Sequence, residues 1–215
     1  MKLVTERALA LKLEAQGVDG ADTKHSVYAV ASLVQAARPD MSTNAAADGT
    51  VTLVFSDMEG FSRMTESLGD LAAHRVVQEH NRIVRAQTAA HGGREIELRG
   101  DGFRLAFSSA RRAARSAISL QQGFAARNGS GEDRPIRIRI GIHTGEAIQD
   151  ADKFFGKTVI QAYRIADLAA GEEILTSSVT AELLRNAGDL RFAGEREVEL
   201  KGLEGLHRVF ALEWR

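Results

Sequence analysis

The sequence contains no cysteine, which excludes disulfides, thiolate zinc sites and thiol nucleophiles together. It also lacks a charge excess: 28 Lys plus Arg stand against 29 Asp plus Glu, for a net charge of -1. No global field draws in nucleic acid or an anionic membrane, so any polyanion binding has to be local. No apolar run approaches the length of a membrane span. The N-terminal stretch MKLVTERALALKLEAQG carries Glu6 and Glu14 where a signal peptide keeps an unbroken apolar core. The expectation is a cytoplasmic protein with neither nucleic acid nor membrane as partner. Internal repeats and low-complexity tracts are missing as well. What is present is apolar material: 44% of 215 residues supports a sizeable core in one domain with a short extra segment.

Residues 3–16 and 26–37 read as short amphipathic helices, and RPDMSTNAAADG reads as a linker because small and polar residues dominate it. A boundary is therefore expected near Asp48, with residues 1–48 a helical segment plus linker and 49–215 the main domain. TVTLVF is a strand, 61–90 is helical with a break at Gly69, and HGGREIEL turns at Gly92-Gly93 into a second strand. RGDGFRLAF supplies a tight turn and third strand. Residues 108–127 form an amphipathic helix with Ala113, Ala117, Leu120 and Phe124 on one stripe. PIRIRIGIH alternates like a half-exposed strand. A helix over about 156–170, a strand EILT, a helix SSVTAELLRN with a Ser N-cap and two strands around Gly202 complete the chain. The order βααββαβ with a long excursion predicts an α+β fold, ferredoxin-like, with helices against an antiparallel sheet.

Two acids stand out. Asp57 ends the first strand, and Asp101 sits in the RGDG turn between the second and third strands. If those strands are neighbours, the carboxylates meet at one edge, and like charges a few Å apart call for a hard divalent cation completed by water and phosphate oxygens. Taken singly, Asp57 could cap the following helix and Asp101 could fill a type I' turn. As a pair, with Gly60 and Gly102 leaving backbone amides accessible beside them, they fit a phosphate cradle better.

TLVFSDMEGFS, HGGREIELRGDGFRLAF, RIRIGIHTGEA, FFGKTVIQAYRIADLA and ELKGLEGLHRVF, in that order, resemble the signature blocks of the class III nucleotidyl cyclases over 49–215. The resemblance implies two divalent metal ions, Mn2+ or Mg2+, on Asp57 and Asp101 with the Met58 carbonyl as a further ligand. Phe55, Glu59, Gly60 and Phe61 would flank a nucleoside triphosphate, and the active sites would lie at the interface of a head-to-tail homodimer. Arg164 matches the transition-state Arg of the family, and Lys201 in LKGL is a candidate for the triphosphate.

The departures from the family pattern carry information. Adenylate-making members read adenine with a Lys four residues before the second metal Asp and an Asp three residues before the GxTV glycine; here Glu97 and Lys153 stand in those places. Donor and acceptor are exchanged, which suits a base with a ring N–H beside a carbonyl, uracil or guanine. A surface or interface ion pair between Glu97 and Lys153 is the competing reading. Lys153 in place of the usual uncharged partner of guanylate-making members, and Tyr163 where the family usually has a small residue, shrink the pocket and favour uracil. Tyr163 also reads simply as a core aromatic. The single cyclase domain resembles the bacterial pyrimidine (uridylate/cytidylate) cyclases of antiphage signalling systems, whose cyclic UMP or CMP activates a separately encoded effector. A uridylate cyclase is thus expected, with a guanylate or adenylate cyclase, or a nucleotide-binding pseudocyclase, as alternatives. The pseudocyclase alternative follows from Ile160, which replaces the ribose-orienting Asn of the family; Gln161 beside it is the nearest substitute.

Other features read as ordinary. FFGKT lacks the glycine that a phosphate-binding loop needs five residues earlier, since that position is Ala151. His74 and His80, six apart, face different sides of a helix. Arg111, Arg112 and Arg115 read as a solvated helix face, and Arg134, Arg137 and Arg139 as the wet side of a strand.

Overall fold

The computed structural model describes residue 45 and residues 48–131, 134–151, 153–185 and 188–215. The helices expected over 3–16 and 26–37 lie outside the described residues.

Strand β1 (Thr50–Met58) is built from β-branched and aromatic residues and is buried along almost its whole length, as suits a strand covered on both faces. It lies between β3 (Gly102–Phe107) and β4 (Ile138–Glu146), antiparallel to both. Between β1 and β3 come α1 (Phe61–Leu68), α2 (Asp70–Ala90) and β2 (Arg94–Arg99); α3 (Ala110–Gly129) leads to β4. A hairpin of β5 (Ile148–Asp150) and β6 (Lys153–Phe155), helix α4 (Lys157–Leu168), β7 (Ile174–Ser177), α5 (Ser178–Arg185), β8 (Phe192–Glu199) and β9 (Leu206–Leu212) follow. The sheet order is β2-β3-β1-β4-β7-β9-β8. The α+β class holds, with one correction: β4 and β7 are parallel, because α4 carries the chain back over the sheet as a crossover helix must.

The alternation of β1 sorts its side chains between two cores. Val54 and Met58 join Ile83 and Val84 of α2, Phe124 of α3 and Leu184 of α5 on one face. Val51, Leu53 and Phe55 meet Ala162 and Ala166 of α4 on the other. The stripe Ala113, Ala117, Leu120 and Phe124 is buried as the helical period demands. Helix α5 opens on Ser177, whose Oγ accepts from the Thr180 N–H at 3.3 Å. Helix α4 lies directly on β4. A Cβ placed on Gly141 would sit 2.2 Å from the backbone nitrogen of Ala166, so only glycine permits that approach.

The β5–β6 hairpin has no sequence signal. Its tip residue Ala151 takes a φ of 50°, a conformation usually marked by Gly, Asn or Asp. The RIRIGIH alternation also misleads: β4 is a central strand, buried through most of its length, rather than a half-wet one.

Candidate active site

Neither bland role of the two acids survives the geometry. Helix α1 is capped by Gly60 at a φ of 73°, with no side-chain cap bond, so Asp57 is not a helix cap. In the β2–β3 turn Gly100 has a φ of 64° but Asp101 does not have a positive φ; a type I' turn needs both central residues there. Asp101 reaches across instead. Its Oδ2 accepts from the Met58 N–H at 3.1 Å, which brings the turn over the end of β1 and its carboxyl beside that of Asp57. Burial, a hydrogen bond with Asp57 and the charge of Asp57 push the Asp101 carboxyl up to about 6. The molecule therefore holds two acids where one charge opposes the other, an arrangement a cation relieves.

Arg139 is the first side chain that the sequence reading misplaced. It pairs across the β1–β4 ladder with Asp57, and its Nη2 and Nε donate to Asp57 Oδ2 at 2.6 and 3.1 Å. Its Nη1 lies 3.6 Å from the Asp167 carboxylate. Rather than the wet side of a strand, Arg139 is a guanidinium of the site, alongside Arg99 and Arg104. With Asp57, Gly102, Phe55, Tyr163 and Asp167 it lines a cavity of about 470 Å³.

A second cavity of about 340 Å³ contains both Glu97 and Lys153, with Phe55, Ile96, Arg104 and Ile160 among its walls. A β-bulge explains how Glu97 gets there. Glu95 pairs with Leu105 and Glu97 with Arg104, so the ladder slips by one residue at Ile96. In a regular strand Glu95 and Glu97 would share a face. The bulge separates them: Glu95 takes Arg85 of α2 at 2.7 Å, while Glu97 turns to the α4 side. There its ion partner is Arg104 at 2.5 Å, not Lys153, which lies exposed at the start of β6.

The other candidates are spread around these two cavities. Phe55 is buried and meets Tyr163 edge to face, with ring centroids 5.9 Å apart. Tyr163 is 46% exposed and Ile160 47%, so neither is a core residue. Arg164 lies over the Tyr163 ring at 5.2 Å, with Nη1 3.9 Å from Asp167 and a buried Nε that has no hydrogen-bond partner. Its guanidinium does not line the Asp57 cavity. Glu59 accepts from the Gly171 N–H at 3.2 Å and pairs with Arg137 at 3.2 Å. Gly60 caps α1, and Phe61 begins that helix and packs on the main core. Lys201 sits exposed between β8 and β9 and lines neither cavity. Arg104 is the second side chain missed; counting alternation back from the GDG turn places it opposite Phe55.

Among the described residues no group of three or more His, Cys, Asp or Glu gathers. The donor set is two carboxylates, which fits a hard dication that takes its remaining ligands from backbone, water and phosphate oxygens.

A model of the adenylate and guanylate cyclase catalytic domain matches residues 43–213. The chain belongs to this class III cyclase family. An uncharacterised protein of Mycobacterium tuberculosis is 33% identical over 138 residues, 63% of this chain and 45% of that protein. A putative adenylate cyclase of Rhizobium meliloti is 29% identical over 154 residues, 71% of this chain and 26% of that protein. The chain thus spans less than half of these relatives. Among solved structures, the guanylyl cyclase Cya2 superposes with a TM-score of 0.66 at 26% identity, covering 76% of this chain and 91% of that one. A Trypanosoma brucei adenylate cyclase in its monomeric state gives 0.66 at 24%, covering 81% and 92%. Family and fold thus agree on the class III cyclase catalytic domain. Among the described residues no helix is long and apolar enough to cross a membrane.

Proposed function

We propose that this cyclase domain converts UTP to 3',5'-cyclic UMP and pyrophosphate. The 3'-hydroxyl oxygen bonds to the α-phosphorus, the bond from that phosphorus to the bridging oxygen breaks, and the hydroxyl proton leaves to solvent. Asp57 and Asp101, with the Met58 carbonyl, would hold two Mn2+ or Mg2+ ions, which supply acidity at the hydroxyl and screen charge on the leaving group. Arg164 would stabilise the transition state from a second copy of the chain in a head-to-tail homodimer. Its place outside the Asp57 cavity and its buried, unpartnered Nε support that role. Phe55, Glu59, Gly60 and Phe61 would border the nucleotide, and Lys201 would reach the triphosphate. We assign 1–48 as a helical segment with linker and 49–215 as the catalytic domain of a cytoplasmic messenger generator, in antiviral defence, whose product a separate effector reads.

The observation that carries the choice of base is the common cavity of Glu97 and Lys153. An acceptor beside a donor suits uracil N3–H and O4; cytosine and adenine present the reverse and would set like groups against each other once the base covers the pair. The test is purified protein with Mn2+ and each of the four nucleoside triphosphates in separate reactions, with products identified by mass. Cyclic UMP as the main product, absent from Asp57→Ala and Asp101→Ala protein, is expected. Cyclic AMP or cyclic GMP as the main product overturns the choice of base. A second reading rests on Ile160, exposed where the family has its ribose-orienting Asn: tight UTP binding without product would make the domain a nucleotide-responsive regulator.

A further inference from the structure

We infer that Arg104 completes the base-reading group and is the residue that separates uracil from guanine. The inference rests on the uridylate reading above and deepens it. Uracil and guanine share a carbonyl next to a ring N–H, so Glu97 and Lys153 treat them alike. They differ at the third position of the edge: uracil presents the O2 carbonyl, an acceptor, and guanine presents an exocyclic amino group, a donor.

Three observations place Arg104 to read that third position. It stands directly opposite Glu97 in the β2–β3 ladder, and its Nη1 lies 2.5 Å from Glu97 Oε2. It is also opposite Phe55 in the β1–β3 ladder, with its guanidinium 5.4 Å from the centre of that ring. Finally, it is a wall of both the Glu97–Lys153 cavity and the Asp57 cavity. The aromatic face and the carboxylate fix the plane of the guanidinium, and a fork of five N–H donors retains free donors after binding one carboxylate. Glu97 in turn keeps lone pairs for a ring N–H. Lys153, Glu97 and Arg104 then offer donor, acceptor and donor, the complement of O4, N3–H and O2. Guanine would set its amino group against the guanidinium, donor against donor, and the nearest acceptor, Glu97 Oε2, is already held by Arg104 Nη1.

The bulge at Ile96 is part of the same device, because it takes Glu97 away from Arg85 of α2 and delivers it to Arg104. Arg104 acts on the base and not on the phosphates, so its removal should change selectivity rather than turnover in general.

The test compares wild type, Arg104→Gln and Arg104→Lys in kcat and KM for UTP and GTP with Mn2+, and in calorimetric affinity for both nucleotides. Arg104→Gln is expected to lose about tenfold to a hundredfold in kcat/KM for UTP, the scale of one hydrogen bond to a charged group, mainly through KM. GTP use stays level or rises, and Arg104→Lys recovers part of the preference. Equal losses for both nucleotides, or an unchanged UTP to GTP ratio in a wild type that prefers UTP, overturn the role of Arg104 and leave the uridylate reading standing. A wild type that prefers GTP in both turnover and affinity overturns both.

Discussion

The two ends of β1 hold polar side chains in opposite ways. Near its start, Thr52 bonds Thr144 at 3.0 Å, Thr144 bonds Thr180 at 3.2 Å, Thr180 bonds Ser177 at 3.0 Å, and Ser177 bonds the His143 Nδ1 at 2.7 Å. Every member is neutral and each has a partner. Five residues on, roughly 17 Å along the strand at the usual rise, Asp57 and Asp101 crowd like charges together, with Arg139 as a counterweight. Hydroxyls that satisfy one another close a core; acids that do not leave a demand for something from outside. The first end is structure, and the second is where we place the chemistry.

The strongest way to break this comparison is to remove an acid. Asp57→Ala or Asp101→Ala should lower cyclic nucleotide formation by at least about 100-fold to 1,000-fold, the scale of losing one preorganised electrostatic group. The thermal midpoint should change little, because relief of the like-charge contact offsets the lost Arg139 pair or Met58 N–H bond. A large drop in that midpoint would make the acids structural.

Next comes pH, where the two ends should pull in opposite directions. Burial, then the charge of His207, lowers the His143 imidazole from 6.5 to about 4. The unfolded chain therefore binds the extra proton between those values, so stability is full above 6.5 and falls as pH drops toward 4, by on the order of 3 kcal/mol. Asp101 is raised from 3.8 to about 6, so its contribution is full below 3.8 and is lost as pH rises through 6. Urea midpoints across this range should show the acid-side fall in wild type and in Asp101→Asn, with the second effect missing from Asp101→Asn. Identical profiles would deny Asp101 its shift.

Breaking the hydroxyl chain should cost less. Thr144→Val strands the Thr52 hydroxyl and leaves Thr180 only its bond to Ser177, and is expected to destabilise by about 1 to 3 kcal/mol in chemical denaturation, with activity per folded molecule unchanged. The smallest effect sharpens the role of Arg139. Arg139→Gln removes a partly exposed ion pair worth up to about 1 kcal/mol, so Asp57 is freed and calorimetric binding of Mn2+ alone should tighten by no more than about fivefold. Weaker binding would mean that Arg139 shapes the site rather than competing for it.

The parts of the fold set by local pattern are readable in the sequence. The stripe of α3, the β2–β3 hairpin and the break at Gly69 each follow from a few neighbouring residues, and the hairpin puts Asp101 in a turn; that this turn meets the end of β1 depends on β3 lying beside β1. What is hidden depends on distant partners. Arg139 and Asp57 are 82 residues apart, and their pairing needs β4 beside β1, which no local period announces. Arg139 alternates like a solvent-facing residue because its face at that end of the strand opens into a cavity rather than a core. The β5–β6 tip is hidden for a simpler reason: Ala151 adopts a turn conformation without turn chemistry.

The contact of Gly141 with the backbone of Ala166 has a mechanical meaning. Strand and helix touch with only the Ala166 methyl beside their backbones, so β4 and α4 are expected to move as one block that carries Arg139, Tyr163, Arg164 and Asp167 together. Tuning the proposed activity up or down is then expected to come not from tilting that helix alone but from displacement of whole rigid bodies against each other.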